Sequence, residues 1–347
     1  MIALKMLAQR GRSQLAKTIS FLHNSSRSLA HPPQPHIADP SVFFEKPERL
    51  ATFIETASQF QDKGVLVEDW SGLADVQTLQ LVHPAAQLND FERACHSSSA
   101  AVREFGSEFF VGPGSFDAAR AAVGCAVEGV NRIVRGTSAH VICGCRPPGH
   151  HAEPNLSMGF CGLSTAAIAA IYARSLGLRV CVFDYDVHSG NGTIDALAGK
   201  EGVLFAEIRT MTMDAFHTSV PYRAYPYPAG CSLDPQYWYK YVPSGENLIL
   251  EDMFLGTIGD EYVERFCRKI LPDILAFSPQ LLVISAGFDC MKGDPLGDLG
   301  VERRHIAAVM RLLVANGTPS VAVIEGGYDL GNIKQGLAGH LEGLIGH

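Results

Sequence analysis

The sequence predicts an α/β fold, a single doubly wound and mostly parallel sheet flanked by helices, and three observations carry that expectation. Short apolar runs at Gly64 to Val67, His140 to Cys145, Arg179 to Asp184, Val203 to Ile208, Leu281 to Ala286 and Ser320 to Ile324 have strand length. Helical patterns at Phe116 to Val134, Ser164 to Leu176, Asp260 to Phe277 and Glu302 to Asn316 separate them, as parallel crossovers require. Finally, 347 residues with 47% hydrophobic content and no obvious linker suit one large core rather than two domains.

Taken in order, the first 38 residues stand apart. They carry Lys5, Arg10, Arg12, Lys17 and Arg27 with several serines, and no acidic residue precedes Asp39. Such bias fits a targeting segment or a basic arm that docks on the fold, which leaves residues 39–347 as the folded domain. The run Val141 to Cys145 is ended by Pro147 and Pro148, and Val180 to Phe183 opens into Ser189-Gly190-Asn191-Gly192, which is turn chemistry. The run from Leu281 ends in Gly287 and Asp289. From Met211 to Asn247 no period is visible, but Phe216, Tyr222, Tyr225, Tyr227, Tyr237, Trp238, Tyr239 and Tyr241 crowd the segment. A long aromatic loop in a compact domain suits a substrate mouth.

The strand ends hold the chemistry. In extended chain, residues two apart share a direction, so Asp186 and His188 leave their strand pointing into one space. By themselves they read equally well as half a zinc site or as a strand-end cap beside a histidine. Asp289, at the end of a second buried strand, offers a third ligand, and three protein ligands leave a fourth position open for catalysis. Adjacent histidines His150 and His151 follow a third strand with no evident packing reason, which favours a catalytic role for them.

Five motifs, in order, then carry a resemblance: RPPGHHA from Arg146, MGFC from Met158, DYDVHSGNGT from Asp184, AGFDCMKGDPLG from Ala286 and EGGYDL from Glu325. The chain from about Phe43 onward resembles the zinc-dependent histone deacetylases, with the arginase/deacetylase fold. Phe44 to Arg49 (FEKPER) is similar to the opening motif of the acetylpolyamine deacetylases and their bacterial-type relatives. The resemblance implies one Zn2+ held by Asp186, His188 and Asp289. It makes His151 the base, His150 its electrostatic companion and Tyr328 the donor to the oxyanion. It also implies that Asp184 holds His150, that Asn191 holds His151, that Phe160 walls the acyl-lysine channel and that Pro295 and Leu296 form its apolar lip. Asp294, in the same turn, reads as structural.

The pattern has departures. Ser189 stands where a second histidine is usual, and Gly162 to Thr165 stand where an aromatic residue and two asparagines are common. Ala206-Glu207-Ile208-Arg209 replaces a segment whose serine helps bind a structural potassium ion, which makes potassium doubtful; Glu207 and Arg209 are the candidates to replace its charge. Two alternatives to an active deacetylase stay open: a catalytically impaired binding protein, and an arginase-type ureohydrolase. The latter needs two metals and further carboxylates, and Asp289 has no second aspartate two residues away.

A net charge of −8 disfavours nucleic acid as a partner and suits a cationic acetylated amine or an acetyl-lysine peptide. No apolar stretch approaches the roughly 18 to 20 residues needed to span a bilayer. Nine cysteines, none in a C-x-x-C pair, fit a reducing intracellular setting, with the cytoplasm expected first and an organelle allowed by the basic start. Cys161, Cys181 and Cys290 read as buried structural residues. A homodimer is compatible with this reading.

Overall fold

Nine strands make the main sheet of the computed structural model, which describes residues 18–35, 41–96, 102–213, 221–223, 247–254 and 256–345. They are β1 Ile19–His23, β2 Val65–Asp69, β3 His140–Cys143, β4 Val180–Asp184, β5 Val203–Met213, β6 Pro221–Arg223, β7 Leu248–Phe254, β8 Leu281–Ala286 and β9 Ser320–Ile324. Across the sheet the order is β6-β5-β4-β8-β9-β3-β1-β2, with β7 also paired to β5. Every pairing is parallel except β6 on β5.

Among the described residues, the α-helices of seven residues or more are α1 Pro47–Ser58, α2 Ala85–His96, α3 Ser115–Arg135, α4 Thr165–Ser175, α5 Asn191–Leu197, α6 Gly259–Arg265, α7 Leu271–Phe277, α8 Arg303–Val314 and α9 Leu330–Ile345. They cover both faces because the central strands are apolar on both. Along β4, Val180 and Val182 join a cluster with Ala122 and Ala126 of α3 and Ala166 and Ala170 of α4. Cys181 and Phe183, pointing the other way, pack with Phe53 of α1, Met310 of α8 and Leu337 of α9. Near-continuous apolar strands of this kind are what a parallel sheet buried on both sides requires.

Most expected elements appear within a residue or two of their expected ends, and β8 and β9 match theirs. The expected helix from Asp260 to Phe277 is continuous but irregular. Between α6 and α7 a π turn spans Phe266–Ile270, just ahead of Pro272, which has no N–H to give the helical ladder. The stretch expected to be irregular from Met211 begins inside β5 and includes β6; residues 214–220 and 224–246, with most of its aromatic residues, lie outside the described residues.

One boundary needs correction. Residues 1–38 were read as a targeting segment or a docking arm, apart from a folded domain of residues 39–347, yet β1 lies in the sheet between β2 and β3, parallel to both and wholly buried. Phe21 and Leu22 have no exposure and enter opposite core clusters. The folded domain therefore begins at or before Ile19 rather than at residue 39. Five residues carrying Ser20 and His23 look weakly apolar in sequence. Their polar groups find partners in the fold, Ser20 in the Ser138 hydroxyl at 2.9 Å and His23 Nδ1 in the Ser25 hydroxyl at 2.8 Å.

Candidate active site and metal centre

Four adjacent parallel strands, β4, β8, β9 and β3, end at one edge of the sheet, and the loops leaving them carry the candidate residues. Asp184 pairs with Ser285, Ala286 with Ile324 and Val323 with Cys143, so the four ends lie nearly level. Loops at the carboxyl ends of such strands face a common crevice.

Asp186, His188 and Asp289 each present one ligand atom within 4.8 Å of the others. His188 Nδ1 lies 3.1 Å from Asp186 Oδ1 and 3.2 Å from Asp289 Oδ2. Backbone donors aim the carboxylates. Gly326 N–H donates to Asp186 Oδ2 at 2.8 Å, His188 N–H to Asp186 Oδ1 at 2.9 Å, and Val187 N–H to Asp289 Oδ1 at 3.0 Å. Asp289 Oδ2 is left buried without an aligned hydrogen bond. Two glycines make the space: a Cβ on Gly326 would lie 1.9 Å from Asp289 Oδ2, and one on Gly287 would lie 2.1 Å from Asp186 Oδ2.

Titration in this pocket is strongly perturbed. Burial, with the Asp186 charge beside it, pushes Asp289 up to about 7. Burial would lower His188, but its hydrogen bond with Asp186 and the Asp289 carboxylate beside it raise it to about 10. Burial would also raise Asp186, yet the His150 and His188 charges outweigh it and hold this carboxyl well below its ordinary range. Two buried carboxylates thus share the one proton of an imidazole. A divalent cation on the same three atoms would replace that proton and neutralise both charges. The donor set, an imidazole nitrogen and two carboxylate oxygens with a bare oxygen among them, fits zinc with an open coordination position.

His150 and His151 lie with ring centroids 3.9 Å apart and planes tilted by 40°, and the His151 centroid is 5.9 Å from that of His188. His150 Nδ1 bonds Asp184 Oδ2 at 3.1 Å, and its Nε2 lies 3.8 Å from Asp186 Oδ2. Burial would lower His150, but the Asp186 and Asp184 carboxylates overcome it and raise the ring well above its ordinary value. His151 Nδ1 bonds Asn191 Oδ1 at 2.8 Å. Burial, then the charges of His150 and His188, drive His151 well below its ordinary value. The two rings are pushed in opposite directions, one toward imidazolium and the other toward a neutral base.

Tyr328 follows Gly326-Gly327 and stands in an aromatic setting. Its ring meets Phe160 edge-on at 5.9 Å and Phe44 at 6.0 Å, with the Arg49 guanidinium 5.2 Å from its centroid. Burial and the Asp289 charge raise its phenol well above the ordinary range, which keeps the hydroxyl a donor. Phe160 holds a left-handed backbone, φ 65°, which costs a non-glycine residue and fixes the ring on this wall. Pro295 is exposed and Leu296 half-buried.

Several supporting residues escaped the sequence reading. Glu325 Oε2 accepts from Gly149 N–H at 2.7 Å and His150 N–H at 3.1 Å, and so holds the histidine turn. Arg49 donates to the carbonyls of Gly327 at 2.7 Å and Glu325 at 2.5 Å while also pairing with buried Glu45, which Arg146 binds through two nitrogens. Asp294, by contrast, was already read as structural, and it accepts from the N–H groups of Tyr328 and Asp329 at 2.8 and 3.1 Å. The FEKPER and RPPGHH motifs contain Glu45, Arg49 and Arg146, but no local rule links those three residues before the chain folds.

Beside the β4 loop, Glu207 and Arg209 do pair. Arg209 bonds Glu207 at 2.6 Å, the Ser189 hydroxyl at 3.1 Å and Asp252 at 2.6 Å, while Glu207 also accepts from Ser189 Oγ and Gly190 N–H, each at 2.9 Å. Both are buried. The oxygens at the position where the resemblance implies a potassium-binding serine are committed, and a guanidinium stands within the same network. These residues do not fit a potassium site. The eight cysteines among the described residues are free, seven of them buried, including Cys161, Cys181 and Cys290.

Comparison with known proteins agrees with the geometry. Residues 43–344 match the family described as Histone deacetylase domain. The chain is 29% identical to Histone deacetylase 15 of Arabidopsis thaliana over 309 residues, which is 87% of this chain and 52% of that protein. It is 27% identical to human Polyamine deacetylase HDAC10, covering 89% of this chain and 45% of that one. With the Histone deacetylase-like amidohydrolase of Pseudomonas aeruginosa it shares 31% identity over 74% of this chain and 64% of that one. The chain thus spans about half the length of the first two relatives. A solved structure titled Crystal Structure of HDA15 HD domain superposes with a TM-score of 0.80 at 26% identity, covering 95% of this chain and 89% of that one. With the match running through the whole sheet after β1, and with the fold shared, the chain belongs to the histone deacetylase family.

Proposed function

We propose that this chain is a zinc-dependent deacetylase that hydrolyses the amide of an N-acetylated amine, either acetyl-lysine in protein or an acetylpolyamine. The observation that carries the reading is the meeting of Asp186, His188 and Asp289 with two oppositely tuned histidines and a phenol donor at one sheet edge. The names of the relatives, a histone deacetylase, a polyamine deacetylase and an amidohydrolase, point to the same bond.

Bound zinc would polarise the acetyl carbonyl and acidify a water. His151, neutral and with Nδ1 committed to Asn191, presents Nε2 as the base that takes the proton of the attacking water and gives it to the amine as the C–N bond breaks. His150, held by Asp184, keeps positive charge beside the reacting carbonyl. Tyr328 donates its phenolic hydrogen to the developing oxyanion. Phe160 gives the acyl chain an apolar wall, and Pro295 and Leu296 line its entrance.

A turnover panel of N-acetylated polyamines, acetyl-lysine peptides and longer acyl-lysines with zinc-reconstituted protein tests this reading. Hydrolysis of at least one acetylated amine is expected, and none across the panel refutes it. Metal analysis should give about one equivalent, lost in Asp289→Ala. A second cluster, His150, Cys161 and Glu325, is within ligand reach, with His150 Nδ1 bound to Asp184 and Glu325 Oε2 to backbone amides, and a second equivalent of metal would favour the two-metal ureohydrolase.

A further inference from the structure

The base His151 depends on an amide, and an amide can turn over. Asn191 Oδ1 accepts from His151 Nδ1 at 2.8 Å, which fixes the tautomer with its lone pair on Nε2. Oxygen and nitrogen of an asparagine amide are nearly the same size. Rotated by half a turn, Asn191 would offer its NH2 to Nδ1, and the ring would have to move its proton to Nε2. In that state His151 cannot accept a proton from water. A carboxylate at this position would have no such ambiguity, because both of its oxygens only accept.

The far side of the amide removes the ambiguity. Asn191 Nδ2 donates to Glu153 Oε1 at 2.8 Å, with the Met158 sulfur at 3.4 Å and the His151 carbonyl at 3.5 Å as further acceptors. A half-turn of the amide would set its carbonyl oxygen against a carboxylate, a sulfur and a carbonyl, none of which can donate. Glu153 is itself held. It lies two residues beyond His151 in a tight turn closed by Glu153 N–H to Leu156 O at 2.9 Å and Leu156 N–H to Glu153 O at 3.2 Å. One short segment therefore carries both the base and the group that orients the base's partner.

We infer that Glu153 is a positioning residue of the deacetylase site, which locks the Asn191 amide and through it the basic tautomer of His151. The inference rests on the reading of His151 as the base. The carboxylate also polarises the amide, so Oδ1 becomes a stronger acceptor as His151 gains its proton. The negative charge that a directly bonded aspartate would supply is thereby placed one hydrogen bond further out, on a half-buried residue.

The test uses zinc-loaded protein with 15N-labelled histidine, so that the tautomer of His151 is read by NMR independently of turnover. Glu153→Leu should lower kcat by about tenfold or more with KM little changed, and should shift His151 toward the Nε2-protonated tautomer. Asn191→Asp added to Glu153→Leu should restore most of the lost kcat, because an aspartate needs no orienter. In the unaltered protein Asn191→Asp should not raise kcat, since it sets a carboxylate against Glu153. Unchanged kcat and tautomer in Glu153→Leu would overturn the role, as would a loss that Asn191→Asp does not rescue. If the parent protein hydrolyses no acetylated amine, the deacetylase reading fails while the tautomer shift still decides whether Glu153 locks Asn191.

Discussion

Tyr328 shows how much a single side chain can be asked to carry. Its backbone is pinned by Asp294 and, through the preceding carbonyls, by Arg49, while its ring is boxed by Phe160, Phe44 and the guanidinium of Arg49. The hydroxyl is therefore free to act without needing to hold the loop. Tyr328→Phe removes that donor alone, so kcat should fall by about a hundredfold while KM and melting temperature stay close to those of the parent. Steady-state kinetics on the best substrate of the panel checks it, and an effect confined to KM would assign Tyr328 to substrate binding instead. Arg49→Leu is expected to differ in kind. It would strip buried Glu45 of one partner and two carbonyls of their donors, so melting temperature should drop along with kcat.

Among the elements, β1 gives the sharpest consequence. It fills the place between β2 and β3, so its removal would leave two unpaired strand edges and uncover both faces of the sheet. Deleting residues 1–30 should therefore give aggregated or unfolded protein, seen by light scattering and loss of a cooperative melt. A soluble, active product would show that the sheet closes without β1. A gentler version is Phe21→Ala, which empties a site of no exposure and should cost about 3–5 kcal/mol in chemical denaturation. The same strand also positions chemistry, because the segment after it binds Arg146 through Ser28 and His31 and so steadies the turn that carries His150 and His151.

For the whole molecule, acid stability is set by buried groups away from the metal ligands. Burial lowers His31 to about 3, His83 to about 4 and His340 to about 3, from an ordinary 6.5. These rings stay neutral in the fold, whereas the unfolded chain takes up protons below 6.5, so each subtracts stability as pH falls from 6.5 toward its folded value. Glu45 acts in the same sense lower down. Burial would raise it, but Arg146 and Arg49 hold it at about 2 against 4.5, so its contribution is full above 4.5 and lost as pH falls toward 2. Melting temperature is thus expected to be nearly flat above pH 6.5 as far as these groups go, to decline from 6.5 to 4, and to decline further below 4.5. His83 receives Ser164 N–H on one nitrogen and faces the Pro154 carbonyl with the other, an arrangement a glutamine amide can imitate. His83→Gln should flatten the upper part of that decline, and an unchanged slope would remove His83 from the account.

What the sequence determined by itself was whatever short spacings can encode. Apolar runs of strand length alternating with helical periods gave the parallel sheet, and strand-end motifs gave Asp186, His188, Asp289, His150 and His151 as candidates, since a two-residue spacing fixes direction locally, whereas Tyr328 came only with the resemblance. The resemblance of five ordered motifs added their expected roles. Only the tertiary structure decided what depends on residues far apart in the chain. It placed β1 inside the sheet, between β3 and the edge strand β2, because a five-residue strand with a serine and a histidine is recognised by its neighbours and not by its own pattern. It joined Arg49, Glu45 and Arg146 beneath the Tyr328 turn and set Arg209 against Glu207, Ser189 and Asp252. It also put Glu153 behind Asn191, a contact between residues 38 apart. Direction along a strand is a local property of the backbone, but the partner that satisfies a buried charge is chosen only when packing brings distant segments into reach.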